Sequence, residues 1–208
     1  MVAGGTGRRF GGAKQFSLLG GRPVAAWSIA AARSVADGVV LVVPSDDPEP
    51  ADLGADRTVA GGETRAASVR AGLAAVPEDA SVIVVHDAAR PLASASLFGS
   101  VVALVADQGA AGAIPVLAVG DTLKRLSGDT VAATVDREGL VTVQTPQAFE
   151  ARALRDAHAS QREATDDAGL LELRGLLVRT VAGESRNVKI TRPEDLELAE
   201  LYLSAVHG

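Results

Sequence analysis

Cysteine is absent from the 208 residues, which excludes disulfide scaffolds, thiolate zinc sites and cysteine nucleophiles. Aromatic residues are scarce, at 3% of the chain against a hydrophobic fraction of 47%. The core therefore has to be built from Val, Leu, Ile and Ala, as in a parallel sheet covered by Ala-rich helices. Positive charge is in the minority: 20 Lys and Arg against 26 Asp and Glu leave a net charge of −6. That balance argues against nucleic acid or an anionic membrane as partner. No apolar stretch approaches the ~18 residues of a membrane span. The N-terminus also lacks the basic, apolar, then small-residue order of a signal peptide, so a soluble, cytoplasmic protein is expected. The length suits a single domain, 1–208, able to bury roughly 70% of the surface its unfolded chain exposes.

Short apolar runs at 39–43, 82–85, 113–119 and 176–181 are too brief for helices, and three are strongly β-branched. They read as strands buried on both faces. Helical stretches lie between them: 23–36 begins with a proline suited to a first turn, 63–76 stops at Pro77, and 94–107 stops near Gly109. Near the C-terminus, Thr191 with Glu194 three residues on predicts a capping box. Leu196, Ala199 and Leu203 then share one helix face. Strands alternating with helices predict an α/β fold with a mainly parallel sheet. Two places break the rhythm. Residues 121–147 alternate polar and apolar around Ser127-Gly128-Asp129 and 136–139, which predicts an extended, hairpin-like arm. The Gly-rich segment 4–12 should follow a buried strand, yet only Met1, Val2 and Ala3 precede it. A truncated first strand or a late start codon would each account for this.

Chemistry concentrates in four segments. In Gly4-Gly5-Thr6-Gly7-Arg8-Arg9-Phe10-Gly11-Gly12-Ala13-Lys14 the glycines let backbone N–H groups approach a phosphate, with Arg9 and Lys14 adding mobile charge. A flexible turn is the plain alternative. The Walker spacing is missing, and a dinucleotide loop counted from Gly5 puts Phe10 at its third glycine. The second segment is the strand 82–85 running into His86-Asp87-Ala88-Ala89-Arg90-Pro91. Asp87 there would hold Mg²⁺ through one carboxylate, or else cap a turn and pair with Arg90. His86 reads as a packed histidine, His158 as helix surface and His207 as chain end. In the third, Gly61-Gly62-Glu63-Thr64-Arg65 with Ser68 opens a helix. It either reads a ligand's polar edge or is an ordinary start with Glu63 and Arg65 solvated. In the fourth, Lys189 sits between apolar residues in a short strand before the last helix, well placed for a phosphate.

In order along almost the whole chain, these segments resemble the 2-C-methyl-D-erythritol 4-phosphate cytidylyltransferases, in the nucleotidyltransferase superfamily with a Rossmann-like sheet. Further matching segments are Asp121-Thr122, Thr134-Val135-Asp136-Arg137-Glu138-Gly139-Leu140, Thr145-Pro146-Gln147, Thr165-Asp166 and 187–196. The glycine loop recurs across the superfamily, whereas the His-Asp-Ala-Ala-Arg-Pro and Val-Asp-Arg segments are narrower. The resemblance implies that Arg9 and Lys14 stabilise the pentacoordinate α-phosphate of CTP. It implies that Ala3, Gly4, Gly5, Gly7, Gly62, Glu63 and Ser68 meet the nucleotide, and that Asp87 lies by Mg²⁺ (or another divalent cation) and the substrate hydroxyls. Arg137 and Lys189 would position the polyol phosphate, with Arg90, Thr122, Thr145 and Thr165 lining its site. The arm would cross to the partner subunit of a homodimer, completing its site. The chain departs from the family in its short first strand, in Ala3-Gly4-Gly5 for the usual Ala-Ala-Gly, in the short loop before Lys14 and in Arg186 at a position often acidic.

The implied reaction is transfer of CMP from CTP to methylerythritol phosphate in the non-mevalonate isoprenoid pathway. A phosphate monoester is largely dianionic at neutral pH, so this nucleophile needs no general base, in keeping with a chain lacking an obvious histidine or cysteine catalyst. Rival readings are a ribitol-5-phosphate cytidylyltransferase, a molybdopterin guanylyltransferase and a nucleotide-binding regulatory domain without catalysis. The last would be expected to have lost Arg9 or Lys14.

Overall fold

The computed structural model of the chain describes residues 1–5, 10–45, 52–160, 162 and 164–207. A 3-10 turn at Lys14–Phe16 leads into two short strands, β1 (Leu18–Leu19) and β2 (Arg22–Pro23). Next come α1 (Val24–Ala32), β3 (Val40–Val43), β4 (Arg57–Ala60), α2 (Arg65–Ala75), β5 (Val82–Val85), α3 (Ala95–Ala106) and β6 (Gly112–Ala118). A hairpin of β7 (Leu123–Ser127) and β8 (Thr130–Val135) precedes β9 (Val141–Val143) and β10 (Gln147–Glu150). The chain finishes with α4 (Ala151–Ala159), α5 (Asp167–Glu172), β11 (Val178–Ala182) and α6 (Pro193–His207).

The four apolar runs appear as β3, β5, β6 and β11, and helices flank the sheet on both faces. Along β5 the side chains alternate: Ile83 and Val85 pack with Leu73 of α2, Leu154 of α4 and Leu171 of α5. Val84 packs on the opposite face, toward Leu97 and Phe98 of α3 and Ile29 of α1. Helix starts follow local chemistry. The Thr64 side chain accepts from Ala67 N–H, that of Ser94 from Leu97 N–H and that of Asp166 from Gly169 N–H, each filling one of the donors a helix leaves open. At α6 the expected box between Thr191 and Glu194 is not what forms. Asp195 reaches back to the N–H groups of Thr191 (2.7 Å) and Arg192 (2.8 Å), and the Thr191 hydroxyl donates to the Lys189 carbonyl.

The sheet is mixed rather than a run of parallel strands. β11 and β6 are parallel, as are β3 and β4, but β10 lies antiparallel between β6 and β5. The reason is connectivity. The chain leaves β9, itself antiparallel on β6, and enters β10 after three residues, with no helical crossover to restore its direction. β10 therefore occupies a central slot, with Ala148 and Phe149 fully buried. The expected arm at 121–147 is narrower as a result. Only β7 and β8 pair with each other alone, while β9 and Gln147 belong to the main sheet.

The N-terminal residues wedge between β3 and β5. Val2 bridges in parallel to both Val42 and Asp87, Ala3 N–H donates to the Val42 carbonyl, and Ala88 N–H donates to that of Val2. Met1 continues the wedge, its ammonium donating to the Val40 carbonyl and its carbonyl accepting from Val42 N–H. Beside it lies a cavity of about 730 Å³ lined by Val40, Val42, Val69, Val84, Phe98 and Val102 among others. No helix among the described residues is long and apolar enough to cross a membrane.

Candidate active site

The N-terminal segment, β3, β4 and β5 run in parallel, so their carboxyl ends open on the same side, where open α/β sheets place ligands. At the ends of β3 and β4 the backbone is drawn tightly around Ser68, the buried fourth residue of α2. Its hydroxyl lies 3.2 Å from both the N–H and the carbonyl of Gly62. A Cβ on Gly61 would come within 2.8 Å of the Ser68 Oγ, one on Gly4 within 3.1 Å, and one on Gly62 within 2.5 Å of the Ala67 methyl. Gly4, Gly61, Gly62 and Ser68 thus form one corner that admits no side chain, leaving backbone groups to line it. Glu63 is exposed at its rim and Ala3 is buried beneath it, with Gly5 exposed. Gly7 and Arg9 lie outside the described residues. Lys14 is half-buried and opens the 3-10 turn, anchored by the buried Gln15 behind it.

The end of β5 delivers Asp87 beside this corner, against Val2. Its Oδ2 is 2.5 Å from Lys189 Nζ and its Oδ1 is 3.5 Å from Arg65 Nε. Burial alone would push the Asp87 carboxyl up, but Lys189 and Arg65 outweigh it and hold it at about 2. Asp87 does not pair with Arg90. Arg90 donates instead to the Asn187 carbonyl (2.7 Å), and Ile190 N–H to the Ala89 carbonyl (2.8 Å). The buried Asn187 amide donates to the Thr145 carbonyl (2.9 Å). These bonds pin 187–190, an irregular segment rather than the expected strand, across the end of β5. They bring Lys189 to a carboxylate 102 residues away in sequence.

His86 is a fully hydrogen-bonded core histidine, and its partners specify its hydrogens. Asp87 N–H donates to Thr145 Oγ1 (3.0 Å), so the Thr145 hydroxyl is free to donate to His86 Nδ1 (3.1 Å). Nε2 then carries the hydrogen and donates to the Arg90 carbonyl (3.2 Å). A second proton would have no acceptor, and burial accordingly pushes the His86 pKa from 6.5 down to about 3. The sign of the consequence follows. The unfolded chain binds a proton below pH 6.5 that the native state refuses until about pH 3, so stability falls with acidification across that window. From this group alone we expect the unfolding free energy to drop by about 2 kcal/mol between about pH 7 and 5. Urea titrations of the wild type and His86→Asn should differ in this slope; parallel slopes would show that His86 titrates normally.

One expectation fails, and one open alternative is excluded. His158 does not lie on a helix surface: it is 3% exposed, with Nε2 2.9 Å from Asp167 Oδ1. Arg65 is not solvated: its Nη1 lies 2.8 Å from Asp167 Oδ2 while Nε faces Asp87. No local pattern announces Asp167 or His158, because what makes them notable is the partner each meets across the fold. The structure leaves three other expected residues apart from Asp87. Thr122 is exposed before β7, Thr165 is exposed before α5, and Arg137 is exposed, donating to the carbonyl of Gly120 at the base of the hairpin. Among the described residues no group of three or more His, Cys, Asp or Glu could hold a metal. The Asp87 carboxylate, ion-paired here to Lys189 and Arg65, is a single oxygen donor of the kind Mg²⁺ accepts when phosphates and water complete its shell.

This geometry has close counterparts. Residues 1–205 match the family model for IspD, 2-C-methyl-D-erythritol 4-phosphate cytidylyltransferase. The chain is 43% identical to the enzyme of that name from Deinococcus radiodurans, covering 100% of this chain and 90% of that one. It is 44% identical to a bifunctional enzyme IspD/IspF from Dinoroseobacter shibae over 98% of its own length, and spans 52% of that relative, about half the length of such two-activity proteins. The crystal structure of the Thermus thermophilus cytidylyltransferase superposes with a TM-score of 0.81 at 41% identity, covering 92% of this chain and 94% of that one. With the match running from the N-terminal wedge through the last helix, the chain belongs to the 2-C-methyl-D-erythritol 4-phosphate cytidylyltransferase family.

Proposed function

We propose that the chain transfers CMP from CTP to 2-C-methyl-D-erythritol 4-phosphate, releasing pyrophosphate. The observation that carries this reading is the placement of Asp87 and Lys189 at the mouth of the Gly4–Gly62–Ser68 corner, in a chain of this family. An oxygen of the acceptor phosphate attacks the α-phosphorus of CTP, and the bond from that phosphorus to the pyrophosphate oxygen breaks. No proton need leave the nucleophile, so the task of the protein is to offset repulsion between two anions and hold them in line. The corner around Ser68 takes the cytosine and ribose, with Ala3, Gly5 and Glu63 at its edge. Lys14, with Arg9, meets the charge that grows on the α-phosphate. Lys189 and Arg137 grip the acceptor phosphate, and Arg90 and Thr145 support the floor under Asp87. A Mg²⁺ ion at Asp87 would supply Lewis-acid neutralisation of the triphosphate.

The active unit in this reading is a homodimer. A lone two-stranded hairpin is marginal in water, yet among the described residues β7–β8 pairs with no other strand and exposes Leu126 and Val131. Leu140, Val141 and Val143, which follow it in the chain, are exposed as well. A two-fold partner covering this apolar strip would stabilise the hairpin and carry Thr122 and Arg137 to the neighbouring site. Pyrophosphate release measured with CTP and methylerythritol phosphate, against ribitol phosphate, tests the assignment. We expect turnover to require methylerythritol phosphate; preference for ribitol phosphate, or nucleotide binding without turnover, would overturn it.

A further inference from the structure

Behind Asp87, on the side away from Lys189, runs a line of charged groups with no place in the reaction so far. The Arg65 guanidinium turns Nε to Asp87 and Nη1 to Asp167, and the other oxygen of Asp167 meets His158. Three helices supply it: Arg65 and Asp167 are the first residues of α2 and α5, and His158 is next to last in α4. Asp167 is 1% exposed and His158 3%. A carboxylate only accepts, so His158 Nε2 carries the hydrogen between them, while Nδ1 is buried with no partner. Stability alone accounts poorly for such a line, because apolar residues of similar volume usually serve a core as well as buried charges do. The surrounding layer of Leu154, Ala168, Leu170 and Leu171 shows how readily the site could have been filled that way.

What the line does achieve is orientation. With its Nη1 ion-paired to Asp167 at 2.8 Å, the planar guanidinium is biased to keep Nε toward Asp87, so Asp87 has Oδ1 toward Arg65 and Oδ2 toward Lys189. We propose that Asp167 and His158 are positioning residues for the transfer reaction, fixing Arg65 and through it the Asp87 carboxylate and Lys189 ammonium. This rests on the assignment of Asp87 to the site given above. If Asp167 goes, Arg65 is free to swing fully onto Asp87 or toward the incoming phosphate, and Lys189 loses its fixed anchor. Ser68 and the glycine corner are untouched, so nucleotide affinity should be spared.

The test is steady-state kinetics on Asp167→Asn, Arg65→Gln, their double variant and the pair His158→Gln and His158→Leu, with Asp87→Asn as reference. We expect Asp167→Asn to lower kcat about 10-fold while KM for CTP stays within about twofold. The double variant should be no worse than the poorer single, since both break the same connection. Glutamine at 158 keeps an N–H donor and should hold kcat near wild type, whereas leucine should not. Losses that multiply in the double variant, or unchanged kcat in Asp167→Asn, would overturn the proposal. If Asp167→Asn does not fold, the pair at 158 decides: equal kcat in the two overturns it. Near-normal turnover in Asp87→Asn would instead overturn the placement of the site itself.

Discussion

Replacing Lys14 with alanine should lower kcat by about 10²–10³-fold, with a much smaller loss of CTP affinity. The asymmetry follows from where charge changes. In the proposed reaction the triphosphate is anionic before and during transfer, so a cation that merely binds it contributes equally to both. Only a cation poised at the α-phosphate gains as that group becomes pentacoordinate. Lys14 has the setting for it: a half-buried residue opening a 3-10 turn whose next residue, Gln15, is buried. Single-turnover rates and CTP binding measured on the same variant check the split. Near-normal turnover would remove Lys14 from the transition state and return the glycine segment to a flexible turn.

Mixing two inactive proteins should restore activity. In the dimer proposed above, each site takes Lys14 from one chain and Arg137 from the other. Lys14→Ala and Arg137→Ala homodimers would then each be crippled at both sites. Their heterodimer carries one doubly damaged site and one intact site. Random exchange makes about half of all dimers mixed, so activity should climb to roughly a quarter of wild type. The structure supplies the motive, since Arg137 is exposed at the base of a hairpin that pairs with no other strand among the described residues, and donates to the Gly120 carbonyl. Subunit exchange followed by two tags, with activity measured alongside, reads the result. Proven exchange without recovery would place both residues in one chain's site.

The elements that were legible in the sequence are those whose causes are local. The four apolar runs became β3, β5, β6 and β11; the first three are largely covered on both faces, as short apolar stretches suit, whereas β11 is an edge strand with Arg179, Thr180 and Ala182 exposed. Ser94 marked the start of α3 and Asp87 the end of β5 for similar reasons, each being read from its immediate neighbours. β10 was not legible. Gln147–Glu150 is a four-residue stretch with no β-branched residue, and it is a strand only because the gap between β5 and β6 pairs it on both sides. The α6 cap shifted from Glu194 to Asp195 within a single turn, a choice between two neighbouring carboxylates that pattern alone does not rank.

For the site, composition and order along the chain determined the family, the glycine loop, the candidate cations and the absence of a cysteine catalyst. Tertiary structure decided which of those groups share a charge. Lys189 and Arg65 stand 102 and 22 residues from Asp87, yet together they offset its burial and keep it ionised. His158 and Asp167, nine residues apart on consecutive helices, meet only because α4 and α5 fold back on each other. The physical reason is range. Caps, turns and alternation are set within a few residues, whereas a carboxylate's environment is set by whatever the fold brings within a few ångströms, after solvent has been excluded.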